Sequence, residues 1–166
     1  MGAVVALALA VWLASGLRGK PLRQVEAFLP PRVLVPLVGA GLSSTPEWML
    51  NDYDAALNVA RKSGKLVFVD FTGYTCTNCR WMEANIFSRP DVGEQLGQFV
   101  LARLYTDGEG EIYERQQAFQ EKTLGTVALP LYAVVDGNGK VRATFSGLTR
   151  DPAEFIAFLR RAATGA

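Results

Sequence analysis

The sequence predicts an α/β fold for residues 47–166, a central mixed β-sheet flanked by helices. Three observations carry this expectation. An apolar, β-branched run over 66–71 sits between Gly64 and Gly73 and is followed by Met82, Ile86 and Phe87 at helical spacing. A second apolar run over 99–105 lies between two stretches of helical pattern. A third run, 131–135, is joined to 140–145 by Asp136-Gly137-Asn138-Gly139, strong hairpin turn chemistry.

In chain order, residues 2–17 carry no charge and are followed by Arg18, Lys20 and Arg23. The stretch 1–18 reads as a transmembrane helix. It is shorter than the roughly 20 residues a span needs, which suits the end of a longer helix. A cleaved signal ordinarily has a basic leading segment, missing here, and a buried core helix is rarely so uniformly apolar. Residues 19–46 hold Pro30, Pro31, Pro36 and Pro46 with Gly39 and Gly41, a composition that forbids a continuous helix and reads as a linker. Its apolar Val33, Leu34, Val35, Leu37 and Val38 are expected against the membrane surface or the domain.

The domain begins at Trp48. A helix is expected over 54–62 with Leu57 and Ala60 inward, stopped by Ser63-Gly64. The continuous apolar run 66–71 is expected to be a central strand buried on both faces. A helix over 77–87 follows, then a break at Arg89-Pro90, a short helix over 91–96, the strand 99–105, a loop over 106–110 and a helix over 111–122. After the hairpin, Asp151-Pro152 opens a last helix with Phe155, Ile156 and Leu159 inward, proline being suited to the first helical position.

Composition narrows the chemistry. At 166 residues and 49% hydrophobic content the chain can bury a real core as one domain with an appendage. Its 17 basic and 16 acidic residues leave no electrostatic footprint for nucleic acid. It has no histidine, which removes the usual general base, the commonest metal ligand and the Ser-His and Cys-His arrangements.

Cys76 and Cys79 are the only cysteines, set two residues apart where the strand gives way to a helix. Cys76 would stand at the helix mouth, where unpaired N–H groups and the positive dipole end stabilise a thiolate. Cys79, one turn inside, is placed to attack a mixed disulfide formed on Cys76. A zinc site needs four N or S ligands, more than the chain supplies, and a c-type haem site needs histidine where Arg80 stands. A structural disulfide is the remaining alternative, although so small a loop adds little chain-entropy stabilisation. Asp70 interrupts an apolar strand; buried, its carboxyl has a raised pKa and can exchange a proton with a nearby thiol, the alternative being a side chain that reaches water at the strand end. Glu83 follows Cys79 by four residues and Cys76 by seven, on the same helix face, unless it is an ordinary solvated carboxylate. Tyr74 and Thr75 flank the thiol and shape the rim that meets a substrate; Trp81 is either part of that rim or a core anchor.

Val69-Asp70-Phe71, the turn, Cys76-Thr77-Asn78-Cys79 and the later Leu129-Pro130 resemble the thioredoxin superfamily. More narrowly, Asp70-Phe71-Thr72-Gly73 with Cys76-Thr77-Asn78-Cys79-Arg80-Trp81-Met82-Glu83 resembles the C-terminal periplasmic domain of the DsbD family of thiol:disulfide interchange proteins, over about residues 47 to 163. The resemblance implies a thioredoxin fold and a redox-active Cys76–Cys79 disulfide, with no other cofactor and no metal. Cys76 would be the nucleophile, Cys79 the resolving thiol, Asp70 the buried proton-exchanging acid and Glu83 a second acid that tunes the thiol. Leu129-Pro130 would be cis and face the cysteines, leaving the Leu129 backbone open to a substrate strand. The domain would follow the last helix of a membrane protein and face the periplasm from the inner membrane, although the basic residues after 17 favour the opposite orientation. Its partners would be a membrane-embedded electron donor and disulfide-bearing extracytoplasmic proteins. Two departures bear on direction: Tyr74-Thr75 stands where common thioredoxins have tryptophan before the first cysteine, and Thr77-Asn78 replaces Gly-Pro. A disulfide oxidase or isomerase with the same couple, or a membrane-tethered binding module without turnover, therefore stands beside the reductase.

Overall fold

The run Val-Phe-Val-Asp-Phe-Thr is β-branched or aromatic everywhere except at Asp70, and all of it is buried, the requirement for a strand with helices on both faces. It forms β2 (Val67–Thr72), the middle strand of a five-stranded sheet. In this computed structural model, which describes residues 5–7 and 47–165, the strand order is β1 (Trp48–Leu50), β3 (Val100–Tyr105), β2, β4 (Leu131–Val135) and β5 (Val141–Ser146). β1 and β2 run parallel to β3, whereas β4 is antiparallel to both β2 and β5. The mixed sheet is thus as expected.

Side chains alternate along each strand, so the sheet carries two separate cores. Val67, Val69 and Phe71 join Val100, Ala102 and Leu104 under α1 (Tyr53–Ser63), which contributes Ala56 and Ala60, and α4 (Glu111–Leu124), which contributes Phe119 and Leu124 at the edge. On the opposite face Phe68, Leu101, Tyr132 and Val134 pack against α2 (Thr77–Met82), a π-helical turn (Glu83–Phe87), α3 (Pro90–Leu96) and α5 (Pro152–Thr164). Aromatic rings dominate this second core: Phe68 stacks on Tyr132 at 5.8 Å, and Phe155 meets both edge-on at 6.1 and 5.4 Å. Such pairs add to the area they bury.

Local signals set the helix ends. Gly64 adopts φ 70°, open to glycine without strain, and closes α1. Asp151 caps α5 by accepting the Ala153 N–H at 2.9 Å, with Pro152 next.

The structure departs from the sequence reading in four places. The strand β1 is additional: three residues at a sheet edge are too few to show a period, and they pair only because β3 offers a free side. The helix expected over 77–87 changes to π geometry at Glu83, which turns Ile86 into the core and lays Phe87 against Phe68 and Phe155. In α5 the buried set is Phe155, Phe158, Leu159 and Ala162, with Ile156 half-buried, because the helix contacts α3 as well as the sheet. In α1, Ala56 and Ala60 point inward and Leu57 lies at the margin.

The stretches 1–18 and 19–46, read as a membrane helix and a linker, lie outside the described residues apart from the helical residues 5–7. Among the described residues no helix is long and apolar enough to cross a membrane.

Candidate functional site

β2 ends at Thr72, and the chain turns through Gly73-Tyr74-Thr75 to reach the first cysteine. The turn is wrapped around the carboxylate of Asp107, at the exit of β3. Its two oxygens accept the Tyr74 N–H at 2.6 Å, the Thr75 N–H at 2.8 Å and the Thr75 hydroxyl at 2.7 Å. The approach is opened by glycine at 73, since a Cβ there would stand 2.6 Å from Asp107 Oδ2 and would push the carboxylate away from its donors. Burial alone would raise the Asp107 carboxyl; the Thr75 and Tyr74 donors outweigh it and hold the group below the usual aspartate range.

The anchored turn delivers Cys76 to the N-cap of α2 in an extended conformation, φ −76° and ψ 95°. Its Sγ accepts the Cys79 N–H at 3.2 Å, taking the role that a serine or aspartate oxygen plays at other helix starts. Cys76 and Cys79 form a disulfide, with Cα atoms 5.3 Å apart. The two sulfurs differ in access: Cys79 is 1% exposed, whereas Cys76 is half-buried and reaches the surface. Attack from outside can reach only Cys76, where the helix N-terminus favours negative charge on the sulfur.

Tyr74, two residues before Cys76, belongs to an aromatic cluster. Its ring stacks on Tyr105 at 4.1 Å and meets Tyr113 edge-on at 5.9 Å, with the Tyr74 and Tyr113 hydroxyls 3.2 Å apart. That hydrogen bond first, then burial, pushes the Tyr74 phenol up to about 12, so it stays a neutral, fixed aromatic surface. Thr75 is exposed beside it, and Trp81 is half-buried, packed on the second core with the Arg150 guanidinium 5.9 Å above its ring.

Under α2 lies a polar cluster. The register pairs Asp70 with Arg103 on one side and with Tyr132 on the other, which sets all three in one row across the sheet. Asp70 is 1% exposed, and its Oδ2 accepts from Arg103 Nε at 2.8 Å. It is therefore buried, as the sequence reading expected, and paired with a residue of the neighbouring strand which that reading did not name. Burial raises its carboxyl above the usual range, and the Arg103 charge opposes the rise without cancelling it. Glu83 faces the same cluster: its Oε1 lies 2.7 Å from Arg80 Nη2 and 3.7 Å from Arg103 Nη2. Burial first, with the Asp70 charge adding and both arginines opposing, lifts its carboxyl to about 7. The Arg103 guanidinium carbon also lies over Trp48, 4.1 Å from the ring centre.

The Leu129–Pro130 bond is cis, as the resemblance implied. Pro130 is buried and Leu129 half-buried. Because Leu131 pairs with Phe71, Pro130 enters β4 at the end of the sheet where β2 runs out into the cysteine turn. The segment before it is tied down by Gln120 Nε2, which donates to the Ala128 carbonyl at 2.9 Å.

Three residues of this arrangement were given no role in the sequence reading: Arg103, Arg80 and Asp107. Arg103 could have been found, since a lone cation in one central strand and a lone anion in the next call for one another. Arg80 has the pattern of a surface helix residue, and Asp107, next to Gly108, that of a turn.

Residues 48–137 match the thioredoxin-like family. No curated protein shows a significant sequence match to this chain. Among solved structures, a thioredoxin from Thermus thermophilus superposes with a TM-score of 0.56 at 26% identity, covering 70% of this chain and 86% of that one. The C-terminal domain of Neisseria meningitidis DsbD in its reduced form gives 0.58 at 22%, covering 69% and 99%. DsbH oxidoreductase gives 0.58 at 16%, covering 78% and 93%; these last two likenesses show a shared fold.

Proposed function

Because the chain belongs to the thioredoxin-like family, we propose that it is a thiol:disulfide oxidoreductase whose working couple is Cys76 and Cys79, acting as a reductase of protein disulfides. The observation that carries this reading is the asymmetry of the pair: a reachable Cys76 sulfur at a helix N-cap, joined to a Cys79 sulfur sealed beneath it.

The chemistry follows in two exchanges. In the reduced protein the Cys76 thiolate attacks one sulfur of a client disulfide; the client S–S bond breaks, a mixed disulfide forms, and the leaving client thiolate takes a proton from solvent. The Cys79 thiol then gives its proton to a buried carboxylate, Asp70 or Glu83, and attacks the Cys76 sulfur. The second client sulfur leaves as a thiolate and is protonated. Two electrons have passed to the client, and the protein holds the Cys76–Cys79 disulfide. A dithiol electron donor reverses both steps on the protein. Tyr74, Thr75 and the Leu129–Pro130 segment form the surface on which the client segment lies, Leu129 offering its backbone for strand-like pairing.

The uncharged run 2–17 and the likeness to a DsbD C-terminal domain support a finer reading, in which the domain is held at the inner membrane, faces the periplasm and receives electrons from a membrane-embedded donor. The reduction potential tests direction. A value near −270 mV, the thioredoxin range, is expected, whereas one near −120 mV makes the protein an oxidant. Trapping with Cys79→Ala tests turnover: a mixed disulfide through Cys76 with insulin is expected, and none at all leaves a binding module without chemistry.

A further inference from the structure

We propose that Arg80 is a positioning residue of the cysteine couple: its buried guanidinium, braced between Thr72 and Glu83, holds a fixed positive charge under α2 that favours the thiolate of Cys76. The inference rests on the dithiol reading above and adds to it a residue whose chain position, directly after Cys79, gives no hint of burial.

Arginine on a short helix is normally solvated, yet the Arg80 side chain is 4% exposed. Its Nη2 donates to Thr72 Oγ1 at 2.6 Å, which pins the guanidinium to the last residue of β2, and lies 2.7 Å from Glu83 Oε1. Its Nε and Nη1 are buried with no hydrogen-bond partner among the described residues. Only Nη2 is spent, on Thr72 and Glu83, so the charge is held in place by one end of the guanidinium while two of its buried N–H groups stay unpartnered. The backbone holds it to the couple as well, the Arg80 N–H donating to the Cys76 carbonyl at 3.1 Å.

The charged and titratable groups around it are few. From β2 come Asp70 and the neutral Thr72, from β3 Arg103 and Tyr105, from β4 Tyr132, and from the π turn Glu83. Tyr132 is kept neutral, its phenol raised well above the ordinary value by burial first and by the two carboxylates next. Two arginines thus face two carboxyls that burial biases towards the protonated form. With both acids ionised the cluster is neutral; with either protonated it is net positive. It is not net negative near neutral pH, and Arg80 is what prevents that: without it, Arg103 alone would face two acids, and their ionisation would oppose a thiolate on the helix above.

The test is the pH dependence of iodoacetamide alkylation at Cys76 in the reduced full-length chain, read by mass spectrometry, for the parent and for Arg80→Gln and Arg80→Lys. Arg80→Gln is expected to raise the alkylation midpoint by about one pH unit, the order expected for loss of a nearby opposite charge. Above that midpoint the equilibrium with glutathione should shift by up to about tenfold towards the protein disulfide. Arg80→Lys, which keeps the charge, should restore most of the shift. A midpoint that stays put while Arg80→Gln loses stability overturns the proposal and leaves Arg80 a structural brace. Should Arg80→Gln fail to fold, the pair Arg80→Met/Glu83→Gln, which leaves no stranded ion, is compared with Glu83→Gln alone; an unmoved midpoint there has the same force. A parent Cys76 that resists alkylation at neutral pH sinks the dithiol reading itself, whereas a reactive Cys76 indifferent to Arg80 refutes only this inference.

Discussion

Replacing Arg103 with methionine keeps the apolar stem but removes the guanidinium that pairs with Asp70 and lies on Trp48. The pair is 2.8 Å apart, with the Asp70 side chain 1% exposed, so water cannot take over. Breaking a buried pair from one side costs about 3–5 kcal/mol. A second route to the magnitude is independent: the stranded aspartate can escape by binding a proton, and at pH 7, against an ordinary value of about 3.9, that costs about 4 kcal/mol. Because burial already raises Asp70 in the parent, part of that cost is present before the substitution, and the two routes set the loss at up to about 4 kcal/mol at pH 7, a large share of the roughly 5–15 kcal/mol that holds a domain together. The second route also fixes the pH dependence. An unpaired Asp70 keeps its proton in the folded chain to higher pH than in the unfolded one, so stability is intact below about pH 3.9 and lost as pH rises; at pH 5 the penalty shrinks to about 1.5 kcal/mol. Denaturant midpoints at pH 5 and pH 7 for the parent, Arg103→Met and Asp70→Asn/Arg103→Met measure it. The double variant, with a neutral amide in place of the carboxylate, should recover most of the loss. A penalty equal at both pH values, or a double variant no better than the single one, would refute the reasoning.

Two further outcomes follow from the same geometry. Asp107→Ala deletes the acceptor of three hydrogen bonds at a site that water touches, so each is worth about 0.5–1 kcal/mol and the variant should lose about 2 kcal/mol in urea unfolding at pH 7. The Asp107 carboxyl is held low in the folded chain, so its contribution is present above about pH 3.9 and lost as pH falls further; parent and variant should converge in acid, and equal stability at pH 7 would count against the anchor. Glu83 is the opposite case: with its carboxyl raised to about 7, the parent should lose stability as pH climbs from the ordinary glutamate range to about 7, and Glu83→Gln should show a shallower decline. Parallel stability curves for the two proteins between pH 4 and pH 8 would mean that Glu83 does not titrate there.

The central strand was legible because burial on both faces leaves a continuous apolar run, and the hairpin because Asp136-Gly137-Asn138-Gly139 admits few other conformations: the Asp136 carboxylate accepts the Asn138 and Lys140 N–H groups at 2.9 and 3.1 Å. The cysteine pair was legible for the same local reason, a strand ending at glycine with a helix after it. The π turn was not, since the apolar spacing of Met82, Ile86 and Phe87 suits either helix geometry and only packing against Phe68 and Phe155 selects one. Ile156 and Phe158 are both apolar and one turn cannot rank them; contact with α3 does.

What surrounds the sulfurs depends on distant residues. Asp70 announces itself within its own strand as a buried acid, but its pairing with Arg103 spans 33 positions and exists because β2 and β3 lie side by side in parallel at one register. Asp107 meets Tyr74 and Thr75 across a similar separation. Short stretches of sequence therefore specified the strands, the helices and the chemistry of Cys76 and Cys79, because backbone preference and side-chain period act over a few residues. Which charges face one another under α2, and so how each carboxyl titrates, was left to the order and register of the strands, because electrostatic and hydrogen-bond energies depend on distances through space that no local window contains.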